Sequence, residues 1–154
     1  MTTITFMLNG ERRSIAVEPW EILLDVVRDR LGIKSPKAGC NRGDCGTCTV
    51  LLDGRSVRSC LILAVEVDGH EITTLEGIAA DGLTALQEAF LANDSFQCGF
   101  CAPGMIVTAT ELLRDTPHPT EGQIKEALAG NLCRCTGYRP IIEAVQSLGR
   151  RCHE

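Results

Sequence analysis

A chain of 154 residues, 44% of them apolar, is long enough to bury a core as one ordinary domain or two small ones. Its net charge of -5, the absence of Lys/Arg-rich runs and the few aromatic residues exclude nucleic acid and anionic membrane surfaces as partners. No charged-then-apolar segment of export type opens the sequence and no apolar run is long enough to span a bilayer. Nine cysteines are therefore expected to be reduced thiols in a cytoplasm, where clustered thiols bind metals more often than they cross-link.

Ile4, Phe6 and Leu8 alternate with more polar neighbours, Asn9-Gly10 turns the chain, and Ile15 and Val17 continue the alternation. Residues 3–17 thus read as a β-hairpin with Arg12 and Arg13 on its surface. Pro19 and Trp20 are expected to open a helix whose Leu23, Val26, Val27 and Leu31 recur at helical spacing, with Gly32 at its end and Trp20 as a packing anchor.

Cys40, Cys45 and Cys48 then follow a C-x4-C-x2-C spacing, and Cys60 comes eleven residues after Cys48. This is the pattern of a plant-type [2Fe-2S] site and fits poorly the paired C-x2-C of zinc sites. Gly43 and Gly46 allow positive φ and let backbone N–H groups approach anionic sulfur. Asp53-Gly54 is a two-residue hairpin turn between strands at 47–52 and 55–59. Counting back from it sets Leu52 opposite Arg55 and Cys48 opposite Ser59, which leaves Cys60 beside Cys48. A further strand includes Ile72 and Thr73.

Residues 76–82 have turn chemistry and read as a linker between a domain at 1–75 and a second at 83–154. Beyond it the period becomes helical: Leu83, Leu86 and Phe90; Ile106, Ala109 and Leu113; Ile124 and Leu128; Ile141, Val145 and Leu148. Thr120 and Gln123 form a capping box, Pro103 and Pro140 occupy first turns, and Gly130 and Gly149 are placed as stops. Four short helices imply a bundle. Cys98-Gly-Phe-Cys101 and, thirty-one residues on, Cys133-Arg-Cys135 each precede a proline-started helix, whose N-terminal N–H groups stabilise thiolate. Taken alone, this second set leaves zinc, a redox dithiol or disulfides open beside iron and sulfur.

Residues 39–50, 97–105 and 130–138, read together, resemble the iron–sulfur subunit of the molybdenum hydroxylases, the family of xanthine dehydrogenase, aldehyde oxidoreductase and carbon monoxide dehydrogenase. The resemblance spans residues 3–148, and Ala102 stands where many relatives have threonine. It implies an α+β chain: an N-terminal β-grasp, plant-type ferredoxin-like domain followed by a C-terminal four-helix bundle domain. It implies one [2Fe-2S] cluster on Cys40, Cys45, Cys48 and Cys60 and another on Cys98, Cys101, Cys133 and Cys135. Gln97 and Cys135 are the positions implied to lie against molybdopterin, of the cytosine dinucleotide form, on a large subunit, while FAD is carried by a medium subunit. The implied assembly is a heterotrimer or a dimer of heterotrimers, in which this chain passes single electrons and has no catalytic residue of its own.

The rival is a free-standing two-cluster ferredoxin or a zinc-stabilised interaction module. The substrate is not encoded in this chain. His70, His118 and His153 are expected at the surface and Cys152 as a free tail thiol; Arg42 and Asp44 are either plain exposed loop charges or groups that touch a partner or tune the cluster, and Arg134 is the candidate for holding the pterin-side interface.

Overall fold

The computed structural model of the chain describes residues 1–150; Cys152 and His153 lie outside them. Strands β1 (Thr2–Leu8) and β2 (Glu11–Val17) form the expected hairpin. Asn9 and Gly10 both have positive φ, 52° and 81°, which matches a tight turn to the twist of its strands. Ile4, Phe6, Leu8 and Val17 face inward, each fully buried apolar side chain being worth about 1.5–3 kcal/mol relative to exposure.

The expected first helix begins later than Pro19. The carboxylate of Glu21 accepts the N–H of Glu18 and so closes a turn over residues 18–21. Helix α1 starts at Leu23–Asp25 and widens into a π-helical segment, Val26–Arg30. Trp20 sits in that preceding turn with 73% of its surface exposed, so it is not a packing anchor; Leu23, Val26 and Val27 fill the core instead.

Strands β3 (Thr49–Leu52) and β4 (Arg55–Arg58) pair antiparallel in the expected register, Leu52 opposite Arg55 and Thr49 opposite Arg58. Two short 3-10 segments, Ser59–Leu61 and Ala64–Val67, lead to β5 (Glu71–Thr73). The sheet order is β2-β1-β5-β3-β4, with β5 parallel to β1 and the other pairs antiparallel. Within the segment expected to be a linker, α2 (Leu75–Ile78) forms one helical turn that stays tied to the sheet half. Asn9 exchanges side-chain hydrogen bonds with Thr74, and the Glu76 carboxylate accepts from Ser35.

Four helices of eight or more residues follow: α3 (Ala85–Ala92), α4 (Ala102–Asp115), α5 (Glu121–Leu128) and α6 (Arg139–Arg150). α3 packs on α6 and α4, and α5 on α4 and α6. Their buried faces include Leu86, Phe90, Met105, Ile106, Ile124, Leu128, Ile141 and Val145. Two sequence expectations fail here. Leu83 lies outside α3 and is 58% exposed, because Thr84 caps the helix through Gln87; Gly149 lies inside α6 rather than ending it.

Of these helices, α4 lies against the β3–β4 hairpin. Arg55 pairs with Glu111 and Asp115, the N–H of Ser56 donates to Glu111, and Arg114 donates to the carbonyl of Gly54. Deeper in, Asn131 is 1% exposed and donates to the carbonyl of Gly46 and the hydroxyl of Thr49 while accepting from Thr108.

Candidate metal centre

The first thiol loop is shaped around Cys40. Its sulfur accepts N–H groups from Arg42 at 3.5 Å and Cys45 at 3.4 Å. Those amide donors, with the neighbouring Cys45 thiol after them, pull Cys40 down to about 6. Gly43 (φ 87°) lies under Leu61, whose terminal methyl would be 2.6 Å from an added Cβ. A Cβ at Gly39 would meet the Cys45 sulfur at 2.7 Å. Gly39 therefore leaves room around the Cys45 sulfur that a side chain would take, while Gly43 makes room for Leu61.

Cys48 and Cys60 are buried against one another, as the hairpin register requires. The Ser59 hydroxyl donates to the Cys48 carbonyl at 2.6 Å and clamps the returning strand. Burial first, then the Cys48 thiol, pushes Cys60 up to about 11.

The second set converges in the same pairwise way. The sulfurs of Cys98 and Cys135 are 3.6 Å apart on the exposed side, while Cys101 and Cys133 form an inner hydrogen-bonded pair. Cys101 immediately precedes α4, in the N-cap position but without a side-chain capping bond. Burial first, and then Cys133, pushes the Cys101 thiol up to about 12. Burial also pushes Cys133 up, but the hydroxyl and N–H of Thr136 outweigh it and hold the thiol below its ordinary value. The N–H of Phe100 and then the Cys135 thiol hold Cys98 down, and the same contact pushes Cys135 up.

The eight thiols therefore stand as four close pairs, two in each half. Among the described residues no three His, Cys, Asp or Glu side chains converge on one point to hold an ion. Sulfur-only donors, two to each iron, with backbone N–H groups aimed at sulfur, are the chemistry a [2Fe-2S] cluster takes from a protein. The residues present fit that group in both halves.

Several supports carried no local signal. Tyr138 (φ 70°) accepts the N–H of Cys133 on its hydroxyl and donates to the carbonyl of Asn131. Thr47 stands 3.2 Å from the Cys45 sulfur, and Arg58 joins Thr49 to the carbonyl of Gly130. The loops of the two quartets touch directly, since the N–H of Leu132, beside Cys133, donates to the carbonyl of Cys45 at 2.9 Å. Gly46 (φ 73°) has its bare α-carbon against Gly130 and Asn131, so it serves this contact more than the sulfurs beside it. The Gln97 amide donates to the carbonyl of Cys135 at 3.2 Å, setting the two residues expected at a pterin side by side. Arg42 pairs with Asp44 inside its own loop, and His70 with Asp53.

An α+β half with a ferredoxin-like thiol loop, followed by helices bearing a second thiol set, defines a protein built for two [2Fe-2S] centres. Residues 6–74 match the family model "2Fe-2S iron-sulfur cluster binding domain", and residues 74–146 match "[2Fe-2S] binding domain". The nicotinate dehydrogenase small FeS subunit of Eubacterium barkeri is 50% identical over 97% of this chain and 96% of its own. The solved quinoline 2-oxidoreductase of Pseudomonas putida 86 superposes with a TM-score of 0.91 at 43% identity, covering 97% of this chain and 96% of that one. The aldehyde oxidoreductase of Desulfovibrio desulfuricans superposes with a TM-score of 0.94 at 42% identity over 99% of this chain but 17% of that longer chain. The chain belongs to the small [2Fe-2S] subunits of the molybdenum hydroxylase, or xanthine dehydrogenase, family. No helix among the described residues is long and apolar enough to cross a membrane.

Proposed function

We propose that this chain is the electron-transfer subunit of a molybdenum-dependent hydroxylase or dehydrogenase, linking molybdopterin on a large subunit to FAD on a medium subunit. Cys40, Cys45, Cys48 and Cys60 would hold one [2Fe-2S] cluster, and Cys98, Cys101, Cys133 and Cys135 the other. Each cluster, when bound, supplies reversible one-electron chemistry. The observation that supports this reading is the set of four close thiol pairs, two in each half, whose loops meet at the Leu132 to Cys45 hydrogen bond.

The polypeptide's part is to hold and separate charge. The N–H groups of Arg42 and Cys45 offset negative charge at Cys40, and Thr136 does so at Cys133. Cys48, Cys60 and Cys101 are buried, which excludes water from the inner sulfurs, whereas Cys98 and Cys135 open to the surface. That exposed edge, with Gln97 braced against Cys135 and Arg134 beside it, is the side we assign to the large subunit and its molybdopterin, of the cytosine dinucleotide form. We assign residues 1–75 to a β-grasp domain, 76–82 to a linker and 83–154 to a four-helix bundle domain, in a cytoplasmic heterotrimer or dimer of heterotrimers.

Co-purification of the chain with its partners tests this directly. The expected result is about four irons per chain and two distinct paramagnetic resonance signals after reduction. A colourless, zinc-loaded protein, or an iron-bearing chain that forms no complex with a molybdenum subunit, would overturn it.

A further inference from the structure

Lys37 belongs to the sheet half but directs its charge at the helical half. Its backbone is locked to the first thiol loop: its N–H donates to the Thr47 carbonyl and its own carbonyl accepts the Thr47 hydroxyl, both at 2.9 Å. The segment before it is held as firmly. Arg28 donates to the carbonyls of Lys34 and Pro36, and the Glu76 carboxylate accepts the N–H and hydroxyl of Ser35. From this base the ammonium reaches the second thiol loop, 3.5 Å from the carbonyl of Phe100 and 5.4 Å from the centre of its ring. Phe100 lies between Cys98 and Cys101.

The acceptors at the ammonium, on Ser35 and Phe100, are neutral carbonyls, and among the described residues Lys37 is in no salt bridge. Arg28 and then Glu76 act on it electrostatically in opposite senses, and the Glu76 carboxylate oxygens are themselves engaged by Ser35 and Thr74. The thiols of Cys101 and Cys98 also act on this ammonium. A half-buried cation whose direct hydrogen-bond partners are neutral carbonyls favours whatever adds negative charge nearby, and does so more strongly at short range.

We propose that Lys37 is a tuning residue that raises the electron affinity of the centre held by Cys98, Cys101, Cys133 and Cys135, leaving the centre of the sheet half little changed. This rests on the reading of the second quartet as a [2Fe-2S] site. Each centre takes up one electron from an added reductant such as dithionite, and the fixed ammonium stabilises the reduced, more negative form without entering the electron transfer.

The test is a redox titration of the full chain in its complex, followed by paramagnetic resonance, with the helical-half signal identified as the one lost in Cys101→Ser. Lys37→Gln is expected to weaken the electron affinity of that centre about tenfold, a midpoint fall of about 59 mV for a one-electron couple. Lys37→Arg keeps the charge and is expected to stay near the wild type, with the other signal unmoved in both variants. An unmoved midpoint, an equal shift of both signals, or the same shift in Lys37→Arg would overturn the proposal. So would loss of the second signal in Lys37→Gln with retention in Lys37→Arg, which would make the charge an assembly requirement. Fewer than about four irons in the wild type would remove the two-cluster reading and this role with it. Full iron with unmoved potentials removes only the role of Lys37.

Discussion

The amide of Leu132 donates to the carbonyl of Cys45, so one hydrogen bond and one residue connect a thiol-bearing residue of the sheet half to Cys133 of the helical half. The spacing between the quartets is therefore set by backbone contact. The side chains that hold that contact in register are the ones whose loss should be felt at both centres.

Asn131 is foremost among them. It is buried, and its three side-chain hydrogen bonds join Gly46, Thr49 and Thr108. Asn131→Ala should cost about 3 kcal/mol, since it leaves buried partners unsatisfied. Urea unfolding would measure the loss, and flash-photolysis kinetics should show slower exchange between two otherwise intact signals.

Gly46→Ala tests the same seam by steric means. The new methyl would collide with the carbonyl of Gly130, and alanine is strained at a φ of 73°. The expected cost is about 2–4 kcal/mol. Limited proteolysis should then cut between the halves at protease levels that leave the wild type whole.

Cys101→Ser removes an inner thiol from the second quartet only. One of two paramagnetic signals should vanish and the other persist, because Cys40, Cys45, Cys48 and Cys60 are untouched. Simultaneous loss of both in a folded variant would contradict separate sites.

Glu111 gives the seam a pH dependence. Burial pushes its carboxyl up, but the N–H of Ser56 and the Arg55 guanidinium prevail and hold it below its ordinary 4.5. A depressed carboxyl contributes stability that is full above 4.5 and is lost as the pH falls through the lower folded value. Glu111→Gln should be about 1 kcal/mol less stable at neutral pH, the exposed Arg55 limiting the ion pair, and should show a flatter loss of melting temperature below that point.

Much of this was legible in the chain because the deciding signals are local. Asn9-Gly10 and Asp53-Gly54 specify two-residue turns, and the second sets the register that delivers Cys60 to Cys48. Thr120 and Gln123 announce a helix start, and the spacing of Cys40, Cys45 and Cys48 announces its metal, which the second thiol set taken alone does not. What stayed hidden depends on distant partners. Trp20 is apolar yet outward, because Glu21 closes a turn that moves the helix start to Leu23. Leu83 fits a helical stripe by spacing, but Thr84 claims the cap. Nothing near Gly46 in sequence shows that Gly130 and Asn131, over eighty residues away, press against it.

The two-residue turn at Asp53 and Gly54 leaves no slack in the length of its hairpin. Inserting one residue there would shift the returning strand by half a pleat, carrying Cys60 to the opposite face and moving Arg55 away from α4. A single-codon insertion at that tip would thus disable a thiol and a docking surface together, although the lesion itself lies on exposed loop where length changes are ordinarily forgiven.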